Sequence, residues 1–188
     1  MAPALPVAPG GFRLKTPRLD LCPTRPQDAA RALAIQADAK VARMLRHASF
    51  PPDFDRLSAW FATHPAEWTS GTAFRFSVCL EERMIGIADI DEIADGCGEL
   101  GYWFERVAWG QGLAMEAASA LTRFAFETLC LDALCSGHAE DNPASGRILQ
   151  KLGFTATGSA NLPYLSRKGP VRHMLYRLRR QDWPAQQG

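Results

Sequence analysis

Three strand-like runs stand almost end to end between residues 73 and 104, and that spacing limits the possible folds more than any other feature. Residues 73–80 (AFRFSVCL) alternate, with Phe74, Phe76 and Val78 on one face. Residues 84–93 and 99–104 continue as strands, the joints being Glu81-Glu82-Arg83 and the turn dipeptide Asp95-Gly96. A parallel pair needs a crossover of about a dozen residues or more. These runs can therefore form only an antiparallel meander.

The period then changes. After Trp109-Gly110-Gln111-Gly112 a helix is expected over residues 113–128. Leu113, Ala117, Ala120, Leu121, Phe124 and Thr128 form its apolar stripe. A short strand at 133–137 follows, then a second helix over 142–152 stopped by Gly153. The last strands fall at 155–161 and 171–178. Upstream, residues 13–23 read as one strand, irregular at Pro17. Thr24 is the expected N-cap of a helix over 29–37, with Pro26 in its first turn. A short helical stretch covers 39–45. A longer one covers 53–68, carries Phe54, Leu57, Trp60, Phe61 and Trp68, and is ended or kinked by Pro65. One strand-helix-strand unit sits in an otherwise antiparallel sheet, which makes the class α/β (α+β in stricter usage).

Composition sets outer limits. A length of 188 residues predicts one domain. Residues 1–11, rich in Pro, Ala and Gly, read as a flexible leader rather than a secretion signal, and 12–188 as the domain. No apolar run approaches the ~20 residues of a membrane span. With 21 basic against 20 acidic residues, no overall field favours nucleic acid or an anionic membrane. Five cysteines, odd in number and without a CxxC, suggest reduced thiols in the cytoplasm. The four histidines lack ligand spacing, so no metal is expected.

The chemistry-bearing segment is Trp109-Gly110-Gln111-Gly112-Leu113-Ala114. Two glycines and an alanine sit where a strand gives way to a helix. Gly tolerates tight backbone conformations, and the helix N-terminus offers free N–H donors and partial positive charge. Together these suit an anion such as phosphate. The run is neither GxxxxGK[ST] nor GxGxxG.

Four segments carry a resemblance to the GNAT superfamily of acyl-CoA N-acyltransferases, in its RimJ/RimL-like branch. They are TPRLDLCPTRPQDA, GELGYWFERVAWGQGLAMEA, NPASGRILQKLGF and LYRLRRQDW, and they span residues 13–183. The resemblance implies a mixed, mostly antiparallel, twisted sheet with helices on both faces. It implies acetyl-CoA as cosubstrate and a primary amine as acceptor, either a protein N-terminus or a small molecule. A homodimer is implied on the same ground alone.

The implied roles follow position by position. Amides from Gly110 through Gln111, Gly112 and Leu113 to Ala114, with Trp109 opening the loop, would hold the pyrophosphate. The strand through Tyr102, Trp103 and Phe104 would pair with the pantetheine arm where it splays from strand 133–137. Asn142 would contact pantetheine or cap its helix. Ser145 would assist the leaving thiolate or remain a first-turn serine. The Tyr that many members carry before K-x-GF is Leu149 here. That absence keeps a non-catalytic CoA sensor as the alternative. Glu99 is the first choice of general base. Asp89, Asp91 and Glu92 either attract a cationic amine or form a solvated strand end. His138 could touch substrate. Trp60, Phe61 and Trp68 could line an acceptor groove but suit core packing better. Cys97 and Cys135 read as small packed thiols.

Overall fold

The computed structural model of the chain describes residues 11–183. The expected leader therefore lies, Gly11 apart, outside the described residues. Eight strands form one sheet: β1 (Leu14–Lys15), β2 (Asp20–Pro23), β3 (Phe74–Leu80), β4 (Arg83–Ala94), β5 (Cys97–Phe104), β6 (Ala133–Ala139), β7 (Thr155–Pro163) and β8 (Pro170–Arg179). Their spatial order is β1-β2-β3-β4-β5-β6-β8-β7. Every neighbouring pair is antiparallel except β5–β6.

The meander closes through two tight turns. Glu81 and Glu82 lie at φ 49° and 64°, and Asp95 and Gly96 at 49° and 74°. Two successive positive φ angles match the twist of a hairpin. Near its end β4 carries one extra residue between Asp91 and Ala94, where Glu92 sits at φ 49°. Such a bulge re-aims the neighbouring side chains.

Helices cover both faces. α1 (Ala29–Gln36), the short α2 (Ala39–Ala42) and α3 (Phe54–Ser70) follow β2. Ala29 and Ala32 of α1, with Leu57 and Phe61 of α3, bury against Met84 and Ile87. α4 (Leu113–Arg123) and α5 (Pro143–Lys151) lie over the other face. There Leu113, Ala117, Leu121 and Leu149 join Phe74, Phe76, Leu100 and Phe104 in the larger core.

Three local expectations change. Residues 13–23 are a hairpin, Leu14 pairing with Leu21, because Thr16 to Arg18 turn back and the Thr16 amide donates to the Leu19 carbonyl. Thr24 is no cap: it is buried and its hydroxyl meets His64 Nδ1 at 2.7 Å. Pro65 neither ends nor breaks α3, which runs from its N-cap Asp53 to Gly71 in the left-handed region. Leu57, Phe61, His64 and Trp68 are buried along it, and packing on both sides of the proline outweighs the missing hydrogen bond. The helix after Gly112 also changes pitch, Phe124–Thr128 forming a π turn.

Burial holds His64 and His173 down at about 4. Unfolded histidine takes a proton near ~6.5. Between these values the unfolded chain binds more protons. Stability is therefore complete above pH ~6.5 and falls as the pH drops towards 4. Denaturant unfolding across that range should show this loss, and His64→Gln should flatten it. Parallel curves for the two proteins would contradict the burial of a neutral His64.

Candidate active site at the strand separation

β5 and β6 pair over three residues only: Cys97 with Ala133, Gly98 with Leu134 and Glu99 with Cys135. Beyond that point each strand is committed elsewhere. β5 stays with β4 as far as Phe104, and β6 stays with β8 as far as Ala139. The gap between them exposes one backbone edge of β5. Ser136 Oγ donates to the Leu100 carbonyl across it at 2.8 Å, and Trp109 Nε1 donates to the Phe104 carbonyl at 2.9 Å. Peptide groups alternate in direction along a strand. The Tyr102 N–H and C=O thus face the same gap, whereas Trp103 belongs to the ladder with Ile87. Of the three residues expected to offer backbone here, Tyr102 and Phe104 face the gap, the Phe104 carbonyl being taken by Trp109.

A cavity of about 550 Å³ passes through this gap. Glu99, Gly101 and Trp103 line it from one face of β5, while Tyr102, Asn142 and Ser145 line its far end. Gly101 is required here, because a Cβ would stand 2.4 Å from Asp89 Oδ1. Glu99 makes no hydrogen bond or ion pair among the described residues. Its carboxyl is pushed above the ordinary glutamate range, first by burial, then by Asp91 and Glu92.

Of the acidic residues ahead of Glu99, Glu92 is exposed and makes no hydrogen bond or ion pair among the described residues, as a solvated strand end would, but Asp89 and Asp91 are not loose. Arg75 Nη1 holds Asp89 and Asp91 at 2.8 Å each, and its Nε holds Glu67 at 2.8 Å. The guanidinium also lies 5.1 Å from the Trp60 ring. Burial and Asp91 nevertheless push the Asp89 carboxyl up against the pull of Arg75. Of the three aromatic candidates only Trp60 lines the cavity; Phe61 and Trp68 are buried in the core.

Ser145 is a first-turn serine of α5. Its amide donates to the N-cap side chain of Asn142 at 3.4 Å, and its Oγ lies 2.9 Å from the Tyr102 hydroxyl. Burial pushes Tyr102 up to about 12, so it stays protonated. Leu149 is fully buried. Sequence reasoning named Tyr102 for its backbone and missed its hydroxyl, although a tyrosine two residues from Leu100 and Phe104 on an apolar stripe signals a hydroxyl in need of a partner. His138 also reaches the cavity. Its Nδ1 donates to the Ala139 carbonyl at 2.8 Å, which leaves Nε2 to accept from Tyr176 at 3.3 Å.

The glycine turn lies outside the cavity. Gly110 and Gly112 sit at φ 75° and 77°, where a side chain is strained. A Cβ on Gly110 would meet nothing within 4 Å, so the turn is open to solvent. Gly112 takes the N-cap position of α4 without a side-chain cap, leaving the first-turn amides from Leu113 and Ala114 available. Arg18 Nη1 donates to the Gln111 carbonyl at 2.9 Å. In a planar trans peptide this turns the Gly112 N–H the opposite way. The turn can accept a phosphate-sized anion, and the gap can accept an extended chain needing backbone partners. Trp109 serves here by its indole hydrogen bond, as a tie between turn and strand. No group of three or more His, Cys, Asp or Glu among the described residues is arranged to hold a metal.

Comparison with known proteins gives a consistent set. The profile of the "Acetyltransferase (GNAT) domain" matches residues 18–155. The "[Ribosomal protein uS5]-alanine N-acetyltransferase" of Escherichia coli (strain K12) is 32% identical over 119 residues, 60% of this chain and 61% of the enzyme. The match thus spans less than two thirds of that relative. Among solved structures, Mycobacterium smegmatis RimJ in complex with CoA-disulfide superposes with a TM-score of 0.79 at 21% identity, covering 98% of this chain and 92% of that one. The ribosomal-protein-S5-alanine acetyltransferase from Vibrio fischeri superposes with a TM-score of 0.79 at 18% identity, covering 93% and 100%. At these identities the structures establish the fold.

The electrostatics of Glu99 can be checked directly. Its carboxyl resonance should titrate above the reference value of ~4.3, and Asp91→Asn should lower the midpoint by removing a neighbouring negative charge. An NMR midpoint at the reference value, unmoved by the substitution, would contradict this geometry.

Proposed function

The chain belongs to the acetyltransferase (GNAT) family, and on that premise we propose that it moves the acetyl group of acetyl-CoA to a primary amine, by preference the α-amine of a polypeptide. The observation that carries the reading is the gap after Glu99. It sets a partnerless carboxylate on one side and the Tyr102–Ser145 hydroxyl pair on the other, inside one cavity. The relative from E. coli is named for acetylating an alanine of a ribosomal protein, which supports a protein acceptor. An α-amine, with a reference pKa of ~7.7–8.0 against ~10.4 for lysine, is also the easier amine to deprotonate.

Acetyl-CoA supplies an activated thioester. The residues present fit it: the turn from Gly110 to Ala114 offers amides to the pyrophosphate, and Tyr102 offers its peptide groups to the pantetheine arm. Asn142, besides capping α5, can exchange hydrogen bonds with the same arm. Glu99 would take the proton of the attacking amine through water, its raised pKa bringing it closer to the working pH. Ser145 Oγ, held by the protonated Tyr102, would give a hydrogen bond or a proton to the departing thiolate. Backbone N–H groups at the gap would receive the charge that develops on the carbonyl oxygen. The Tyr102 hydroxyl beside Ser145 supports a catalytic reading over a non-catalytic sensor. A cytoplasmic setting fits the five free cysteines.

Calorimetric titration with acetyl-CoA should give saturable binding near one per chain. Gly112→Val, which strains a residue at φ 77°, should weaken that binding at least tenfold. Glu99→Gln should leave binding almost unchanged and lower kcat by ~10²-fold or more. Tyr102→Phe and Ser145→Ala should each lower kcat, with the double variant little worse than either single one. Folded protein that does not bind acetyl-CoA at high concentration would overturn the reading.

A further inference from the structure

The acceptor side of the cavity carries charges of both signs, and they are not equally engaged. Asp89 and Asp91 are held by Arg75. Two lining carboxylates, Glu99 and Glu92, make no hydrogen bond or ion pair among the described residues; Glu92 is exposed and Glu99 is partly buried. On the facing wall, Arg46 from the segment after α2 and Arg56 from α3 also line the cavity. Neither side chain makes a hydrogen bond or an ion pair among the described residues. Nearby cations behave differently: Arg43 and Arg167 both pair with Asp141, at 2.7 and 3.0 Å.

Arg46 is also fixed in place. Its carbonyl accepts from the Leu165 amide at 3.1 Å. The same strap is fastened by Ser166 Oγ to the Ala42 carbonyl at 3.1 Å and by Arg167 Nε to the Arg43 carbonyl at 2.7 Å. Arg46 as a residue is partly buried. A partly desolvated cation without a counter-charge is costly unless something arrives to pair with it. Its field reaches across the cavity to Glu99, Tyr164 and His173, yet no salt bridge closes between Arg46 and Glu99. The cavity therefore offers a separated carboxylate and guanidinium, the complement of a molecule carrying an amine and an anion.

We propose that the acceptor bears a negatively charged group close to its amine, and that Arg46, with Arg56 at the mouth, receives that group while Glu99 receives the amine. This rests on the acetyl-transfer reading above and narrows its substrate class. Two sources share the chemistry: an acidic side chain near a polypeptide N-terminus, or the α-carboxylate of a free amino acid. Complementary charge at this position would favour acidic acceptors in both encounter and residence.

The test is acetylation at saturating acetyl-CoA of three peptides that differ only at their second residue, Ala-Glu, Ala-Gln and Ala-Lys, beside free glutamate and alanine. The Ala-Glu peptide should exceed Ala-Gln in kcat/KM about tenfold, mainly through KM, and the advantage should shrink with added salt. Arg46→Gln should abolish the preference, Arg46→Lys should restore part of it, and Arg46→Glu should turn it towards Ala-Lys. Calorimetry of the same peptides with the protein alone should show the same order of affinity. Faster turnover of the free amino acids than of any peptide would assign the anion to an α-carboxylate, with the same dependence on Arg46. Acetyl transfer without charge preference, or with one that survives Arg46→Gln, overturns the proposal and leaves the activity standing. Transfer to none of these amines by protein that binds acetyl-CoA overturns the activity and the proposal together.

Discussion

Everything at this site depends on two strands that stop pairing. β5 and β6 share only three ladder positions, since each spends the rest of its length on another neighbour. A sheet interior normally leaves no backbone group without a partner. Here the edge of β5 beyond Glu99 is served by Ser136 and Trp109 at its two ends, with Tyr102 between them. The opening gives an extended chain a place to complete the sheet and gives the cavity a passage from one face to the other.

The two faces of that passage differ because a strand sends alternate side chains to opposite sides. Odd-numbered Glu99, Gly101 and Trp103 face α1 and α3, where Arg75 gathers Glu67, Asp89 and Asp91. Even-numbered Leu100, Tyr102 and Phe104 face α4 and α5, where Tyr102 meets Ser145. The proton removal proposed for Glu99 and the leaving-group assistance proposed for Ser145 would thus fall on opposite sides of a single strand. Arg75 matters because it consumes two carboxylates that would otherwise crowd Glu99, and it does so while packed against Trp60.

Much of this was legible in the residues. The meander followed from the two short joints, the left-handed turn from Gly110 and Gly112, and the helix over Pro143–Lys151 from Asn142 and Gly153. The misread parts share a cause. Pro65 obeys its local preference only when nothing opposes it, and here Phe61 and Trp68 pack the helix on both sides of it. Thr24 fits a cap by composition, but its hydroxyl is taken by His64, forty residues away. Tyr102 was legible for its backbone alone, because the partner of its hydroxyl lies on α5, far along the chain.

The sequence by itself determined the broad order of elements, the alternation of strand residues between two faces and the position of the glycine turn. These depend on periodicity and on backbone chemistry, which act over a few residues. Tertiary structure alone decided which charges are free. Asp89, Asp91, Glu92 and Glu99 are all acidic residues on β4 and β5, and Arg43, Arg46 and Arg167 are all arginines. Which of them pair and which face the cavity depends on contacts between segments far apart in the chain, where distance and desolvation, rather than residue type, set the electrostatics.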